Sequence, residues 1–224
     1  EIASCLVGSE MCIRDSGTAA SGKGTISRYL ANHYNFNYLD TGLSYRAVAY
    51  AVLQQNITPD DEKELLQIAS KIDFVKFNEE ALKANEVGNL ASKIAVNPKL
   101  REILVQKQRE FTNNSAKGAI LDGRDIGTIV CPQAHVKLYV DAELNVRALR
   151  RFEMLRQANI KISQQQVLQQ LQERDERDKN RATGALLKLS TAYAIDTTNL
   201  TIEETINKAK NIIEPALNGF LGLK

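Results

Sequence analysis

Cysteine is scarce: the three present, Cys5, Cys12 and Cys131, have neither the pairing of a disulfide framework nor the spacing of a zinc site. A reducing, cytoplasmic setting is the expectation. Long apolar runs are missing as well. None approaches the roughly 20 residues needed to cross a bilayer, so no membrane partner is expected. Neither sign of charge is in excess, with 29 basic against 27 acidic side chains. Net charge therefore gives no case for a nucleic-acid partner. Internal repeats and low-complexity linkers are also absent. The stretch from Glu1 to Ser16 lacks the basic start and long apolar core of a secretory signal. It also lacks a clean apolar strand, because Arg14 and Asp15 put a charge pair where burial would be needed. Residues 1–16 are expected to be a leader foreign to the fold, and 17–224 the working domain.

What is present is an ordinary globular balance, 43% hydrophobic and 25% charged, on a chain of 224 residues that can bury a sizeable core. From Gly17 onward helix and strand signals alternate. Ile26, Tyr29, Leu30 and His33 mark one apolar helix face. Tyr34 to Asp40 alternates as a strand and stops at Asp40-Thr41-Gly42. A helix is expected over Ser44 to Gln54, and another from Thr58-Pro59-Asp60-Asp61 to about Ile72. Asn97-Pro98 opens a further helix with Leu100, Ile103, Leu104, Lys107 and Phe111 on its face. Ala119 to Asp122 and Val136 to Val140 read as strands, and Asp141 as the cap of a helix to Gln157. Ser163 opens the next helix, Ala192 to Ile195 is a last strand, and Thr201-Ile202-Glu203-Glu204 is a capping box. This order implies a parallel sheet with helices on both faces.

Gly17-Thr18-Ala19-Ala20-Ser21-Gly22-Lys23-Gly24-Thr25 carries the G-x-x-x-x-G-K core of a phosphate loop. Small residues let several backbone N–H groups point at one polyphosphate, and the following helix adds its positive end. Lys23 supplies a mobile charge for the β- and γ-phosphates. Gly24 follows the lysine in place of the serine or threonine that holds magnesium in GTPases, and there is no Asn-Lys-x-Asp guanine signature. A GTPase is disfavoured.

Four other segments suit a phosphate clamp: Asp40 to Arg46 and Asp122-Gly123-Arg124-Asp125, both at strand ends, Ser92 with Arg101, and the run from Arg174 to Arg181. Seven arginines fall between Arg147 and Arg181. Of these, Arg147, Arg150 and Arg151 read better as a solvated helix face than as braces of a lid. Tyr45 suits a core as well as a site, and His33 and His135 read as packing residues.

Taken together, Gly17–Thr25, Asp40-Thr41-Gly42-x-x-Tyr45-Arg46, Asp122-Gly123-Arg124-Asp125-x-Gly127-Thr128 and Glu173-Arg174-Asp175-x-x-Asp178-x-x-Arg181 resemble the bacterial cytidylate kinases. The likeness runs from about Gly17 to the end. It implies a three-layer α/β P-loop kinase fold with a central parallel sheet, a monophosphate-binding lobe over about 58–112 and an arginine-rich lid over about 158–184. It also implies ATP as phosphate donor, Mg2+, CMP or dCMP as acceptor, and a monomer. Lys23, Arg174, Asp178 and Arg181 take the catalytic roles, and Gly17 to Thr25 hold the donor. Thr41, Arg46, Ser92, Arg101, Arg124, Asp125, Arg174, Asp178 and Arg181 hold the acceptor, with Asp122 positioning magnesium through water. The family usually has serine where Thr41 stands, and the hydroxyl is retained.

Two features depart from the family pattern. The monophosphate insert, a small three-stranded sheet in the family, is roughly fifteen residues short between Phe77 and Ser92. The family also has an aspartate directly before the first loop glycine, where this chain has Ser16 and Asp15 is displaced by one. Kinases of UMP, AMP or a non-nucleotide acid remain open alternatives, as does a non-catalytic nucleotide- or RNA-binding protein. The last would show steeply salt-dependent RNA binding and no ATP turnover.

Overall fold

The computed structural model describes residues 11–73 and 79–221. They pack as two units, the described residues of 1–39 with those of 115–224, and the described residues of 40–114.

The first unit is built on a five-stranded sheet in the order β2-β3-β1-β4-β5: β1 Met11–Gly17, β2 Asn37–Asp40, β3 Gly118–Gly123, β4 Val136–Asp141 and β5 Tyr193–Asp196. β1 runs parallel to β3 and β4, and β4 parallel to β5. β3 is buried along its whole length, as a strand covered on both faces must be. Met11 to Ser16, set aside above as leader, form the central strand instead. Ile13 pairs with Ile120 and Val136, and Arg14, Asp15 and Ser16 are all buried. Backbone pairing on both edges outweighs the charge pattern that argued against a strand.

Helix α1 (Lys23–Tyr34) begins after Gly22, whose φ of 91° is left-handed, and ends at Asn35, φ 56°. Asn35 donates its N–H to the Ala31 and Asn32 carbonyls and closes the helix, so the strand expected from Tyr34 begins three residues later, at Asn37. Only half of the expected face of α1 is inward. Ile26 and Leu30 join Ile13, Ile120, Leu138 and Val140 in the core, together with Ile213 of α9 (Ile202–Leu221). His33 is exposed and stacks on Tyr29 with centroids 5.9 Å apart, so it is not a packing residue of the core. His135 is exposed too, and its Nδ1 accepts the Cys12 N–H at 3.2 Å. The Thr201–Glu204 capping box opens α9 with both reciprocal bonds made.

In the same unit α7 (Leu144–Gln157) packs on α8 (Gln164–Asn180), which starts at a Ser163–Gln166 capping box. Asp141 does not cap α7. Its Oδ1 accepts the Thr18 hydroxyl at 2.6 Å, while Glu143 occupies the N-cap position without a side-chain bond. After β3 the chain passes through a π-helical turn, Ile126–Val130, anchored where the Asp125 carbonyl accepts the N–H groups of Thr128, Ile129 and Val130.

The second unit is helical among its described residues beyond β2: α2 (Thr41–Gln54), α3 (Glu62–Lys71), α4 (Glu79–Leu82), α5 (Asn85–Ile94) and α6 (Pro98–Asn113). Asp40 caps α2 by accepting the Gly42 N–H, so this helix starts three residues earlier than expected. Asp61, not Thr58, caps α3 through the Glu64 N–H, and Asn97 caps α6 through Leu100. Val48, Val52, Leu65, Leu90, Ile94, Leu100 and Leu104 form its core. The first two residues of the expected shortened insert, Phe77 and Asn78, lie outside the described residues.

Candidate active site

Between β1 and α1 the phosphate loop is shaped by close packing. Gly17 lies against β4, where an added Cβ would stand 1.9 Å from the Val140 carbonyl oxygen, so no other residue fits. Ala20 (φ 60°) and Gly22 turn through left-handed conformations that alternate the peptide directions. Thr18 is pinned to Asp141, and the Ser21 hydroxyl donates to the Thr18 carbonyl at 3.1 Å. No backbone bond among the described residues takes the N–H groups of Ala20, Ser21 or Gly22. That row of donors, at the N-terminus of a helix whose first residue is lysine, fits the phosphates of ATP.

Lys23 and Asp122 form the charged floor beside the loop, with Nζ 3.4 Å from Oδ1. A Cβ at Gly24 would approach Asp122 Oδ2 to 3.0 Å, which gives a steric reason for glycine after the lysine. Asp15 and Asp122 are register partners on neighbouring strands, and Ser27 Oγ donates to Asp15 Oδ2 at 2.9 Å. Burial raises the Asp15 carboxyl well above its ordinary range, and the Asp122 charge pushes it further in the same direction. Asp15 therefore stands as a second acid beside Asp122.

Three arginines converge on Asp178. Arg124 Nε donates to Asp178 Oδ2 at 2.8 Å, Arg174 Nε lies 3.9 Å from the same oxygen, and Arg181 Nη1 lies 3.4 Å from Oδ1. Burial works to raise the Asp178 carboxyl, but the three guanidiniums overcome it and hold its pKa below the ordinary value. Arg181 also donates to the Gly184 carbonyl at 2.6 Å. Arg124 and Arg181, 54 and 3 residues from Asp178, thus share one carboxylate in a unit that also carries the phosphate loop. Asp125 is buried beside Arg124 at the start of the π-helical turn.

In the second unit Arg46 Nη1 donates to the Leu82 carbonyl at 2.6 Å and its guanidinium lies against Gly88. Arg101 is buried, donates to the Ala95 carbonyl at 3.0 Å, and stands over the Tyr45 ring at 5.6 Å. Tyr45 thus belongs to core and cation contact alike. Thr41 and Ser92 are both buried, Thr41 at the first turn of α2 and Ser92 on α5.

Reading the sequence missed Arg147 and Arg150. They are not on a solvated face: Arg147 is 4% exposed, and Arg150 donates through Nη1 and Nη2 to Thr197 Oγ1 and its carbonyl. The available signal was their place directly after a strand end, on the helix facing the phosphate loop.

A phosphate loop feeding a helix from a parallel sheet, with lysine at its mouth and arginines gathered beside it, defines a P-loop phosphotransferase of α/β class. A family model described as cytidylate kinase matches residues 13–215. A cytidylate kinase of Bartonella henselae is 48% identical over 90% of this chain and 93% of its own length. One from Mesorhizobium japonicum is 43% identical over the same shares. A solved structure, an uncharacterized protein from Eubacterium ventriosum, shares the fold at a TM-score of 0.50 and 13% identity, covering 93% of this chain and 99% of its own. The chain belongs to the cytidylate kinase family.

Proposed function

We propose that this protein transfers the γ-phosphate of ATP to CMP and dCMP, giving ADP with CDP or dCDP. The observation that carries the reading, beside family membership, is the convergence of Arg124, Arg174 and Arg181 on Asp178 in the unit that bears the phosphate loop. Phosphoryl transfer needs placement of two anions and neutralisation of their repulsion rather than covalent help from the protein. Bound ATP supplies the phosphoryl group that moves. The loop N–H groups and Lys23 bind its phosphates, and Asp122 would hold Mg2+ through water. Arg46, Arg101 and Arg124 bind the acceptor phosphate, Thr41, Ser92 and Asp125 its sugar and base. Arg174 and Arg181 exchange Asp178 for phosphate oxygens as the lid closes. An acceptor phosphate is already ionised at neutral pH, so no general base is assigned.

The monophosphate lobe in this reading spans about 58–112 and the lid about 158–184. Every assigned residue comes from one chain, which makes a monomer sufficient. No helix among the described residues is long and apolar enough to cross a membrane. Scarce cysteine supports a cytoplasmic setting. The test is ADP release with CMP, dCMP, UMP and AMP offered separately and in competition. Turnover with the cytidine nucleotides and poor use of the others is the expected result. Preference for UMP or AMP would move the acceptor assignment, and salt-sensitive RNA binding without turnover would end the kinase reading.

A further inference from the structure

Two carbonyls of the phosphate loop are held from α7, one directly by Arg147 and one by Thr197, which Arg150 holds in turn. Arg147 on α7 spreads its guanidinium over three acceptors: Nε to the Ala142 carbonyl at 2.8 Å, Nη1 to the Ala19 carbonyl at 3.2 Å, and Nη2 to Asp175 Oδ2 of α8 at 2.6 Å. Three residues further along α7, Arg150 holds Thr197, whose hydroxyl donates to the Ser21 carbonyl at 2.9 Å. The Ala19 side chain packs with Ala148, Leu155, Val167 and Leu171, so the loop is seated on α7 and α8 by apolar contact as well. Asp175 Oδ1 is buried and takes no hydrogen bond among the described residues, so Arg147 is the partner that balances this carboxylate. Asp175 stands between Arg174 and Asp178 on the same helix, one and three positions away.

We propose that Arg147 is a positioning residue for the donor nucleotide. It holds the Ala19 carbonyl turned out of the phosphate cradle and, through Asp175, ties the setting of the loop to that of the lid helix. The proposal rests on the kinase reading above and deepens it. A carbonyl turned inward would face phosphate oxygens with like partial charge and remove an N–H group from the cradle. Fixing it outward in advance leaves that reorganisation out of the binding step. Because one guanidinium serves both the loop carbonyl and the lid carboxylate, a shift of α8 changes the bond that sets the loop.

Calorimetric binding of ATP without acceptor, and of CMP alone, tests this on wild type, Arg147→Lys, Arg147→Met, Asp175→Asn and the Arg147→Met/Asp175→Asn pair, each with its melting temperature. Loss of a charge-assisted bond to the loop predicts about a tenfold or greater rise in the ATP Kd for Arg147→Met and no matching change for CMP. Arg147→Lys keeps the charge but not the three-way fork, and recovers the affinity only in part. Asp175→Asn gives a smaller loss in the same direction and adds nothing once Arg147 is methionine. Wild-type ATP affinity in folded Arg147 variants would overturn the proposal, as would additive effects of the two substitutions. Should the methionine variant not fold, Arg147→Lys, Asp175→Asn and the pair of the two, which keep polar partners, decide by the same two criteria. Wild type that binds no ATP would remove the kinase reading and this proposal with it.

Discussion

Replacing Arg14 by methionine should make the protein more stable. Arg14 lies in the central strand, paired with Leu121 on one side and Lys137 on the other, and is 2% exposed. Its guanidinium faces two weak acceptors, the Cys12 thiol 3.8 Å from Nη2 and the Cys131 thiol, while Nε and Nη1 are buried without hydrogen-bond partners among the described residues. Burial lowers the guanidinium's pKa, the direction expected of a cation withheld from water, yet arginine stays charged and the cost remains in the fold. Each buried unmade donor costs about 1–3 kcal/mol. Exchange of a buried ion for an apolar side chain of similar volume is often worth about 1–4 kcal/mol. Methionine keeps the unbranched stem and fills most of the volume, so little cavity cost offsets the gain. A net gain of roughly 2–4 kcal/mol is expected, which for a chain of this size raises Tm by about 4–16 °C. Urea unfolding followed by circular dichroism at neutral pH, with a thermal scan, measures it. A methionine variant equal to or less stable than wild type would refute the reasoning and show that the guanidinium is satisfied where it stands.

Three further outcomes are expected. Arg181→Ala should lower kcat by about 10²–10³ with a smaller change in KM for either nucleotide, and Arg181→Lys should recover only part of it; steady-state kinetics on both variants decide. Gly88→Ala would bring a Cβ to 2.7 Å from Arg46 Nη2, so the guanidinium must move; the Kd for CMP should rise while that for ATP holds, by calorimetry. Asp178 is held below the ordinary aspartate value of 3.8, so its ion pairs contribute stability that is present above that value and is lost as pH falls through the folded one. The stability gap between wild type and Asp178→Asn should therefore be widest near about pH 7 and close towards about pH 3 in urea titrations.

The phosphate loop, the helices from Asn97 and Ser163 and the final capping box were legible because their signals are local: glycine spacing, a capping side chain, proline at the first turn. Such signals act within one turn of helix, and a neighbour in space hardly changes them. The family motifs were legible for the same reason, since each is a short run. Partners were not. Asp141 looked like a cap from its place after a strand, but the Thr18 hydroxyl, 123 residues away in sequence, claims it. Arg147 and Arg150 looked like a solvated face because charge on a helix usually is one. Only the packing of α7 against the loop and α8 shows that Arg147 is buried, Arg150 half-buried, and both bonded. Met11 to Ser16 fail every local test for a core strand, and still form one because two long strands offer a backbone ladder on both edges. Local residue patterns gave the candidate phosphate-binding groups. The tertiary structure decided which carbonyls of the loop are held back and by what, because those bonds join segments that sequence order keeps far apart.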